Sequence, residues 1–295
     1  MTITLVSSSK HFGGTLAKYS HVSKATQCTM HFNVFLPKSA VESKARVPVI
    51  YCLGGLTSTE DNFAQKGGAA SRASKYEIAL VFPDTSPRNT DVAEAGENSS
   101  VGYSAGFYLN ATQAPWDKNW KMYDYIAKEL PEVVSTNLSI DTTRSSIMGH
   151  SMGGHGALSI FLKNQNNYKT VSAFAPILSA STSPWGLFAL PKYLGPHDPA
   201  VWGDNDVTHL LKHYVSRNLF RKDVKVLIDQ GTEDGFLKEH LYTHGFINDI
   251  KELGIADQFE IRFQDGYDHG YFFISTFVED HIDHHAKALG ATLHQ

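Results

Sequence analysis

The stretch SIMGHSMGGHGALSI, residues 146–160, decides the interpretation of this chain. It contains the pattern G-x-S-x-G at Gly149, Ser151 and Gly153, with apolar residues before it and a helix-like run after it. A serine on a sharp turn between a strand and a helix is typical of a nucleophile elbow. The stretch therefore makes Ser151 a candidate nucleophile, although the motif alone leaves open a plain glycine turn that holds a serine.

The glycines of the motif have a steric explanation. We expect side chains at Gly149 and Gly153 to collide with the neighbouring strand and helix, because the turn is tight. The following helix would aim its N-terminus at the site, where free N–H groups and the positive end of the helix dipole favour an anion. The N–H of Met152 is accordingly the first candidate donor to an oxyanion.

The pattern along the 295 residues alternates strands with helices, which predicts an α/β fold with a mostly parallel, mixed central sheet and helices on both faces. We predict a single domain, 1–295, with a long loop at 85–115 and an insertion at about 178–222. The predicted strands are 2–7, 29–36, 47–55, 78–84, 145–148, 171–176, 224–231 and 259–264. The predicted helices are 61–75, 122–137, 152–163, 238–253 and 271–288.

A serine nucleophile needs a base and an acid that orients it, and on such a fold these follow the serine in the order acid, then histidine. His269 lies in the glycine-containing loop QDGYDHGYFF after the last predicted strand. The segment IDQGTEDGF offers Asp229, Glu233 and Asp234. Asp234 is preferred, because Asp229 is still within the strand pattern and Glu233 fits a solvated loop charge.

The second oxyanion donor is expected in the loop LGGLTSTEDN, residues 53–62, after the third predicted strand. Gly54 and Gly55 would let the backbone approach a ligand, and the N–H of Leu56 is the candidate. An ordinary strand-to-helix turn with Thr59 as the N-cap explains the same glycines and remains an alternative.

Several motifs in this order resemble the S-formylglutathione hydrolase (esterase D) family: LGGLTSTEDNF, FPDTSPR, AGFYLNAT, GHSMGGHGAL, SAFAPI, IDQG and GYDHGYFF. The resemblance covers roughly residues 10–288. It implies an α/β-hydrolase fold and a triad of Ser151, Asp234 and His269, with oxyanion donors at Leu56 and Met152. It also implies hydrolysis of S-formylglutathione to formate and glutathione, no cofactor, a cytoplasmic location and an often dimeric assembly.

Two segments depart from the family pattern. Ser58 stands where the family usually has cysteine. Residues 98–103 read NSSVGY, where the family usually has S-W-D-F-G with two aromatic residues. This loop would alter the acyl or thiol side of the pocket if it borders the site. Phe107, Trp185 and Tyr103 are candidates to line that pocket, and ordinary core positions are the alternative for Phe107 and Trp185.

Composition excludes several other classes. The net charge of −4 does not favour nucleic acid binding, which calls for a basic patch. We find neither a signal peptide nor an apolar run long enough for a membrane span. Cys28 and Cys52 are expected to be reduced thiols.

The histidines of HIDHH, residues 281–285, have a spacing that could bind zinc, but a polar helix face near the terminus is the preferred interpretation, so we predict no metal and no cofactor.

Two other functions share parts of this pattern. A short-chain carboxylesterase or an acyltransferase would use the same triad. A non-catalytic binding module on the same fold is a remote alternative, because such proteins commonly lose a triad residue. In each case the expected partner is a small molecule, with neither nucleic acid nor membrane, and a homodimer is compatible with the resemblance.

Overall fold

Nine strands form one sheet in the order β1-β2-β3-β5-β4-β6-β7-β8-β9, and the structure, a computed structural model, describes residues 1–294. The strands are β1 (Thr4–His11), β2 (Gly14–Val22), β3 (Thr29–Leu36), β4 (Val47–Leu53), β5 (Ala79–Pro83), β6 (Ile140–His150), β7 (Val171–Phe174), β8 (Val226–Gly231) and β9 (Phe259–Gln264). Strands β1, β2, β3 and β5 pair antiparallel, and all pairings from β5 through β4 to β9 are parallel. The predicted mostly parallel, mixed sheet is therefore confirmed.

Strand β2 is absent from the sequence-based prediction. Its residues alternate only weakly between buried and half-buried positions, because polar residues such as Lys18 and Ser20 interrupt the apolar pattern. It lies between β1 and β3 and pairs antiparallel with both. The loop predicted to follow the third strand therefore follows the fourth, β4, whose seven residues are all buried.

Eleven α-helices surround the sheet within residues 1–294. They are α1 (Lys38–Glu42), α2 (Glu60–Lys66), α3 (Ala69–Lys75), α4 (Met122–Asp124), α5 (Leu130–Asn137), α6 (Met152–Lys163), α7 (Pro184–Leu194), α8 (Pro199–Gly203), α9 (Val207–Ser216), α10 (Thr243–Glu252) and α11 (Tyr271–Leu289). None of these helices combines the length and the apolar character that crossing a membrane requires.

Helices cover both faces of the sheet, as β7 shows. Successive side chains of a strand point to opposite faces. Ala173 faces α6, since a Cβ placed on Gly154 would lie 3.3 Å from its side chain. The neighbouring Ser172 hydrogen-bonds His281 and His285 of α11, each at 2.8 Å. The predicted arrangement of helices on both faces is confirmed.

Two of the predicted helices differ from the observed ones at glycine and proline residues. The predicted helix 61–75 is two helices, because the chain breaks at Gly67 and Gly68, the latter at φ +75°. The predicted helix 122–137 contains one wide turn, a π-helix at Tyr125–Glu129, immediately before Pro131. Proline has no N–H to donate to the preceding turn, so a local widening of the helix is expected there.

Candidate active site

Ser151 lies between the end of β6 and the first residue of α6, as the elbow motif predicts. Its backbone adopts φ 57° and ψ −119°, a left-handed conformation that costs a non-glycine residue about 1–3 kcal/mol. Three hydrogen bonds hold it there: its N–H donates to Phe174 O at 2.9 Å, and its carbonyl accepts from His155 at 3.0 Å and Ile177 at 3.3 Å. The surrounding sheet and helix thus fix the position of this serine.

The two motif glycines are required by close backbone approach. A Cβ on Gly149 would lie 2.1 Å from Gly153 O at the start of α6. A Cβ on Gly153 would lie 2.2 Å from Leu53 O at the end of β4. Separations under 3.0 Å force the backbone to move. The elbow can therefore form only with glycine at both positions.

Two backbone amides flank the serine. Met152 is the first residue of α6, so its N–H has no acceptor within the helix. Leu56 follows Gly54 and Gly55 in the loop after β4, and a Cβ on Gly55 would lie 3.1 Å from the Ser151 Cβ. Neither amide donates a backbone hydrogen bond within residues 1–294. Both predicted oxyanion donors are therefore free and belong to segments that adjoin Ser151.

Asp234 and His269 form a short hydrogen bond, with 2.6 Å between the Asp234 Oδ2 and the His269 Nδ1. Asp234 also accepts from Gln230 Nε2 at 3.0 Å and from Phe236 N–H at 2.8 Å. Burial alone would raise the pKa of Asp234, but these hydrogen bonds and the His269 charge outweigh it, so its pKa lies below the usual range. Asp234 therefore stays ionised and holds Nδ1 protonated, which leaves Nε2 of His269 for Ser151.

The loops that carry the acid and the base are tied together. Glu233 N–H donates to Tyr267 O at 3.0 Å, and Thr232 N–H donates to Gln264 O at 3.0 Å. A Cβ on Gly231 would lie 2.2 Å from the same Tyr267 carbonyl, so the loops after β8 and β9 touch. These contacts bring two residues 35 positions apart in sequence to hydrogen-bonding distance.

The alternative acids lie elsewhere. Asp229 is fully buried within β8 and pairs with Arg262 at 2.6 Å and with His281 at 3.3 Å, so it faces α11. Glu233 is exposed beside Asp234. Of the three candidate acids, the structure brings only Asp234 to His269.

Ser151 and His269 line the same cavity, whose volume is about 460 Å³. Within residues 1–294, Ser151 and His269 do not form a hydrogen bond with each other. Such contacts between a nucleophile and its base often tighten only when substrate binds. The cavity wall also includes Leu56, Ser58 and Trp185. Its lining contains no Asp, Glu, Lys or Arg, so a neutral acyl group can enter without meeting a formal charge.

The three aromatic residues predicted to line the pocket differ in their positions. Trp185 lines the cavity and packs on Phe236, with 4.7 Å between the ring centroids. The prediction is corrected for Phe107 and Tyr103. Phe107 is fully buried in the core against His155. Tyr103 stacks on Trp120, and its hydroxyl accepts a hydrogen bond from Thr90 N–H, so it points away from the cavity.

The divergent loop at 98–103 borders the site. Ser99 and Ser100 line the cavity, whereas Val101 is buried. Gly102 holds the loop in place, because its N–H donates to the Tyr193 hydroxyl at 2.7 Å and its carbonyl accepts from Trp120 at 3.1 Å. Two small hydroxyl side chains therefore form the wall where the resemblance predicts an aromatic residue and an acid.

Gln230 and His150 also shape the site; sequence analysis missed Gln230, whereas the place of His150 next to the nucleophile predicts a packing or hydrogen-bonding role. Gln230 lies at the end of β8, donates to Asp234 and accepts from Thr243 at 3.0 Å, which fixes the carboxylate. His150 packs against His269 with 4.5 Å between ring centroids, and neither of its nitrogens has a hydrogen-bond partner among the described residues. Burial and the nearby charge of His269 hold the pKa of His150 well below the usual value, so it is neutral.

The histidine cluster of α11 forms a polar helix face that packs against the sheet. His281 and His285 are fully buried and hydrogen-bond Ser172, and His284 bonds Thr170 at 2.8 Å. Within residues 1–294, no group of three or more His, Cys, Asp or Glu side chains is arranged to hold a metal ion. These histidines join α11 to the sheet.

Comparisons with known proteins agree with this geometry. The family described as "Putative esterase" matches residues 23–284. The chain is 47% identical to an S-formylglutathione hydrolase of Arabidopsis thaliana over 96% of this chain and 97% of that protein. It is 44% identical to one of Rattus norvegicus over 99% of this chain and 100% of that protein.

A solved S-formylglutathione hydrolase from Agrobacterium tumefaciens superposes with a TM-score of 0.90 at 41% identity, covering 97% of this chain and 99% of that one. The predicted α/β-hydrolase fold and the predicted family are both confirmed. The chain belongs to the S-formylglutathione hydrolase family of serine esterases.

Proposed function

We propose that this protein hydrolyses S-formylglutathione to formate and glutathione, with Ser151 as the nucleophile, His269 as the base and Asp234 as the orienting acid. The observation that carries the proposal is the 2.6 Å contact between Asp234 and His269 beside a serine held at φ 57°. Relatives named S-formylglutathione hydrolase, which match over nearly the whole chain, support the choice of substrate.

In the first step, Ser151 Oγ attacks the formyl carbon while His269 Nε2 takes the hydroxyl proton. The carbonyl oxygen becomes an oxyanion that accepts hydrogen bonds from the Leu56 and Met152 amides. The carbon–sulfur bond then breaks, and glutathione leaves as a thiol with the proton from His269. Formyl-Ser151 remains, and Asp234 stabilises the imidazolium during the step.

In the second step, water attacks the formyl-Ser151 ester while His269 again takes a proton. The same two amides bind the second oxyanion. The bond between the formyl carbon and Ser151 Oγ breaks, Oγ recovers its proton from His269, and formic acid leaves and loses its proton to solvent as formate. Each turnover thus consumes one water, releases one proton and restores the enzyme.

A second candidate function, short-chain carboxylesterase activity, is favoured by one observation. Ser99 and Ser100 occupy the cavity wall where the family resemblance predicts larger side chains. Smaller side chains leave room for acyl groups longer than formyl, so the same triad would also cleave simple esters. An acyltransferase would use the same acyl-Ser151 intermediate and transfer its acyl group to an alcohol instead of water.

The decisive experiment compares kcat/KM for S-formylglutathione with kcat/KM for p-nitrophenyl acetate. We expect the thioester to be preferred, because the formyl carbon is less hindered and more electrophilic than the acetyl carbon and the glutathione tail adds binding contacts. Preference for the acetate ester, with negligible turnover of S-formylglutathione, would refute the proposed substrate and support the esterase. If a fluorophosphonate does not label Ser151 covalently, both catalytic functions are excluded and the non-catalytic binding module is the remaining interpretation.

We also propose that the chain forms a single domain and acts in the cytoplasm as a homodimer. The family resemblance supports the location and the assembly. The continuous nine-stranded sheet supports the single domain. Sedimentation equilibrium measures the assembly directly, and a mass near 32.6 kDa would identify a monomer instead.

A further inference from the structure

We propose that Lys66 binds a carboxylate of the leaving thiol, so that the thiol side of the substrate runs from Ser151 past Tyr271 to the end of α2. The inference deepens the proposed function and rests on it. It assigns a specificity-determining residue outside the triad and a direction in which glutathione lies. Four features of the structure lead to it.

The first feature is a second cavity that adjoins the active site. It has a volume of about 440 Å³ and is lined by Lys66, Tyr271, Phe272 and Ser275. Tyr271 also lines the active-site cavity, so one side chain forms the wall between the two spaces. Phe272 is 88% exposed beside it, which gives an apolar floor at the outer end. The two cavities therefore adjoin along the Tyr271 side chain.

The second feature is the distance along this path. The ring centroids of His150 and Tyr271 are 6.0 Å apart, and Lys66 Nζ lies 5.9 Å from the Tyr271 ring centroid. An extended peptide spans about 3.3–3.6 Å per residue. At this rate the cysteinyl-glycine arm of glutathione spans about 7 Å, so a substrate whose sulfur lies beside Ser151 carries its glycine carboxylate past Tyr271 toward the flexible Lys66 side chain.

The third feature is charge. Lys66 is exposed at the end of α2, and it forms no ion pair within residues 1–294. It is the only Asp, Glu, Lys or Arg among the residues that line either cavity. Beyond the 98–101 turn, a third cavity is lined by Glu94 and Glu97 together with Lys192. A tail with net negative charge is therefore attracted toward Lys66 and repelled from the acidic side.

The fourth feature is a pair of unsatisfied polar side chains on the path. The Tyr271 hydroxyl is buried without a hydrogen-bond partner among the described residues, and both ring nitrogens of His150 are in the same state. His150 is only 7% exposed. Buried polar atoms without partners are costly. Because these atoms are inaccessible to solvent, a ligand pairs with them only when neighbouring side chains shift, and amide N–H and C=O groups would then relieve that cost. A peptide-like tail fits this requirement, whereas a hydrocarbon tail does not.

The test uses Lys66→Gln and Lys66→Glu in the full-length protein. Because pairs at exposed sites are worth at most about fivefold in affinity, we expect Lys66→Gln to lower kcat/KM for S-formylglutathione about threefold, mainly through KM. Charge reversal should lower it about tenfold. Both losses should shrink in 0.5 M NaCl, which screens charges beyond about 4 Å. Turnover of p-nitrophenyl acetate, which has no anionic tail, should stay unchanged.

Lys75→Gln is the matched control, because Lys75 is exposed in the last turn of the next helix, α3. It should leave both activities unchanged. If the two Lys66 variants keep wild-type KM for S-formylglutathione, the inference is overturned while the proposed function stands.

A second measurement keeps the inference testable even if the wild type hydrolyses no S-formylglutathione. S-methylglutathione is unreactive, and its inhibition constant against p-nitrophenyl acetate hydrolysis reports tail binding alone. We expect Lys66→Glu to weaken this inhibition about tenfold and the diethyl ester of the inhibitor to bind equally to wild type and variant. Equal inhibition of wild type and Lys66→Glu by S-methylglutathione would contradict the role of Lys66.

Discussion

Replacing Asp234 with asparagine tests the geometry of the proposed triad most sharply. The carboxylate accepts from His269, Gln230 and Phe236 N–H, and its side chain is inaccessible to solvent. An asparagine amide can keep the bond from Phe236 N–H through its oxygen. Its NH₂ group then faces both the N–H at His269 Nδ1 and the NH₂ group of Gln230. Three hydrogen-bond donors would then meet with no acceptor between them.

The imidazole can relieve this clash only by giving up its proton at Nδ1 and carrying it at Nε2. Nε2 can then no longer accept the proton of Ser151. An equivalent change of tautomer in a serine hydrolase triad lowers kcat about 10⁴-fold, which corresponds to about 5.5 kcal/mol of transition-state stabilisation. We expect a loss of this size for Asp234→Asn with little change in KM, measured by steady-state turnover of p-nitrophenyl acetate.

Two matched variants separate catalysis from folding. Glu233→Gln changes the exposed neighbour and should leave kcat within about twofold. Asp229→Asn breaks the buried contacts with Arg262 and His281, so it should lower the free energy of unfolding by about 3 kcal/mol or more. A kcat for Asp234→Asn within tenfold of wild type, with a normal denaturation curve, would refute the assigned acid.

Four further predictions concern the elbow, the buried histidine, position 58 and the divergent loop. Gly153→Ala should lower the free energy of unfolding in urea by about 2 kcal/mol, because its Cβ meets Leu53 O; an unchanged midpoint would contradict the packing. Burial lowers the pKa of His155 to about 4, whereas the unfolded chain takes up a proton at this residue near pH 6.5. The free energy of unfolding should therefore fall by about 3 kcal/mol between pH 6.5 and 4, and it should fall by less in His155→Gln. N-ethylmaleimide should inactivate Ser58→Cys but spare the wild type, and equal sensitivity would show that position 58 does not border the site. Ser99→Trp should reduce kcat/KM for p-nitrophenyl butyrate at least tenfold more than kcat/KM for the acetate ester. Equal reductions would show that the side chain at position 99 does not determine which acyl chains fit.

Much of the fold follows from the sequence because its strong signals are local. Continuous apolar runs predict β4 and β5, since strands buried on both faces are rich in apolar residues. Strand β3, helix α6 and strand β9 have the predicted bounds. Strand β2 was missed because its side chains are mostly half-buried, so no clean alternation marks it.

The candidate site was predictable where its residues occupy special backbone positions. Ser151 is marked by glycines that the elbow requires, and Asp234 and His269 follow strands whose carboxyl ends meet at one edge of the sheet. The rest of the cavity wall was not predictable in this way. Phe107 and Tyr103 were assigned by residue type alone, and aromatic side chains near an active site serve the core as readily as the pocket. The exposure of Ser99 to the cavity and the unpaired state of His150 depend on tertiary contacts that no local pattern encodes.

Ser151 is the proposed nucleophile of this esterase site. The most direct measurement is peptide mapping by mass spectrometry after a fluorophosphonate reagent reacts with the folded protein. We expect one adduct, on Ser151, together with loss of all hydrolysis, and no adduct in Ser151→Ala, which should keep the wild-type unfolding curve. Labelling at another residue, or hydrolysis by Ser151→Ala at the wild-type rate, would contradict the assignment of Ser151 as the nucleophile.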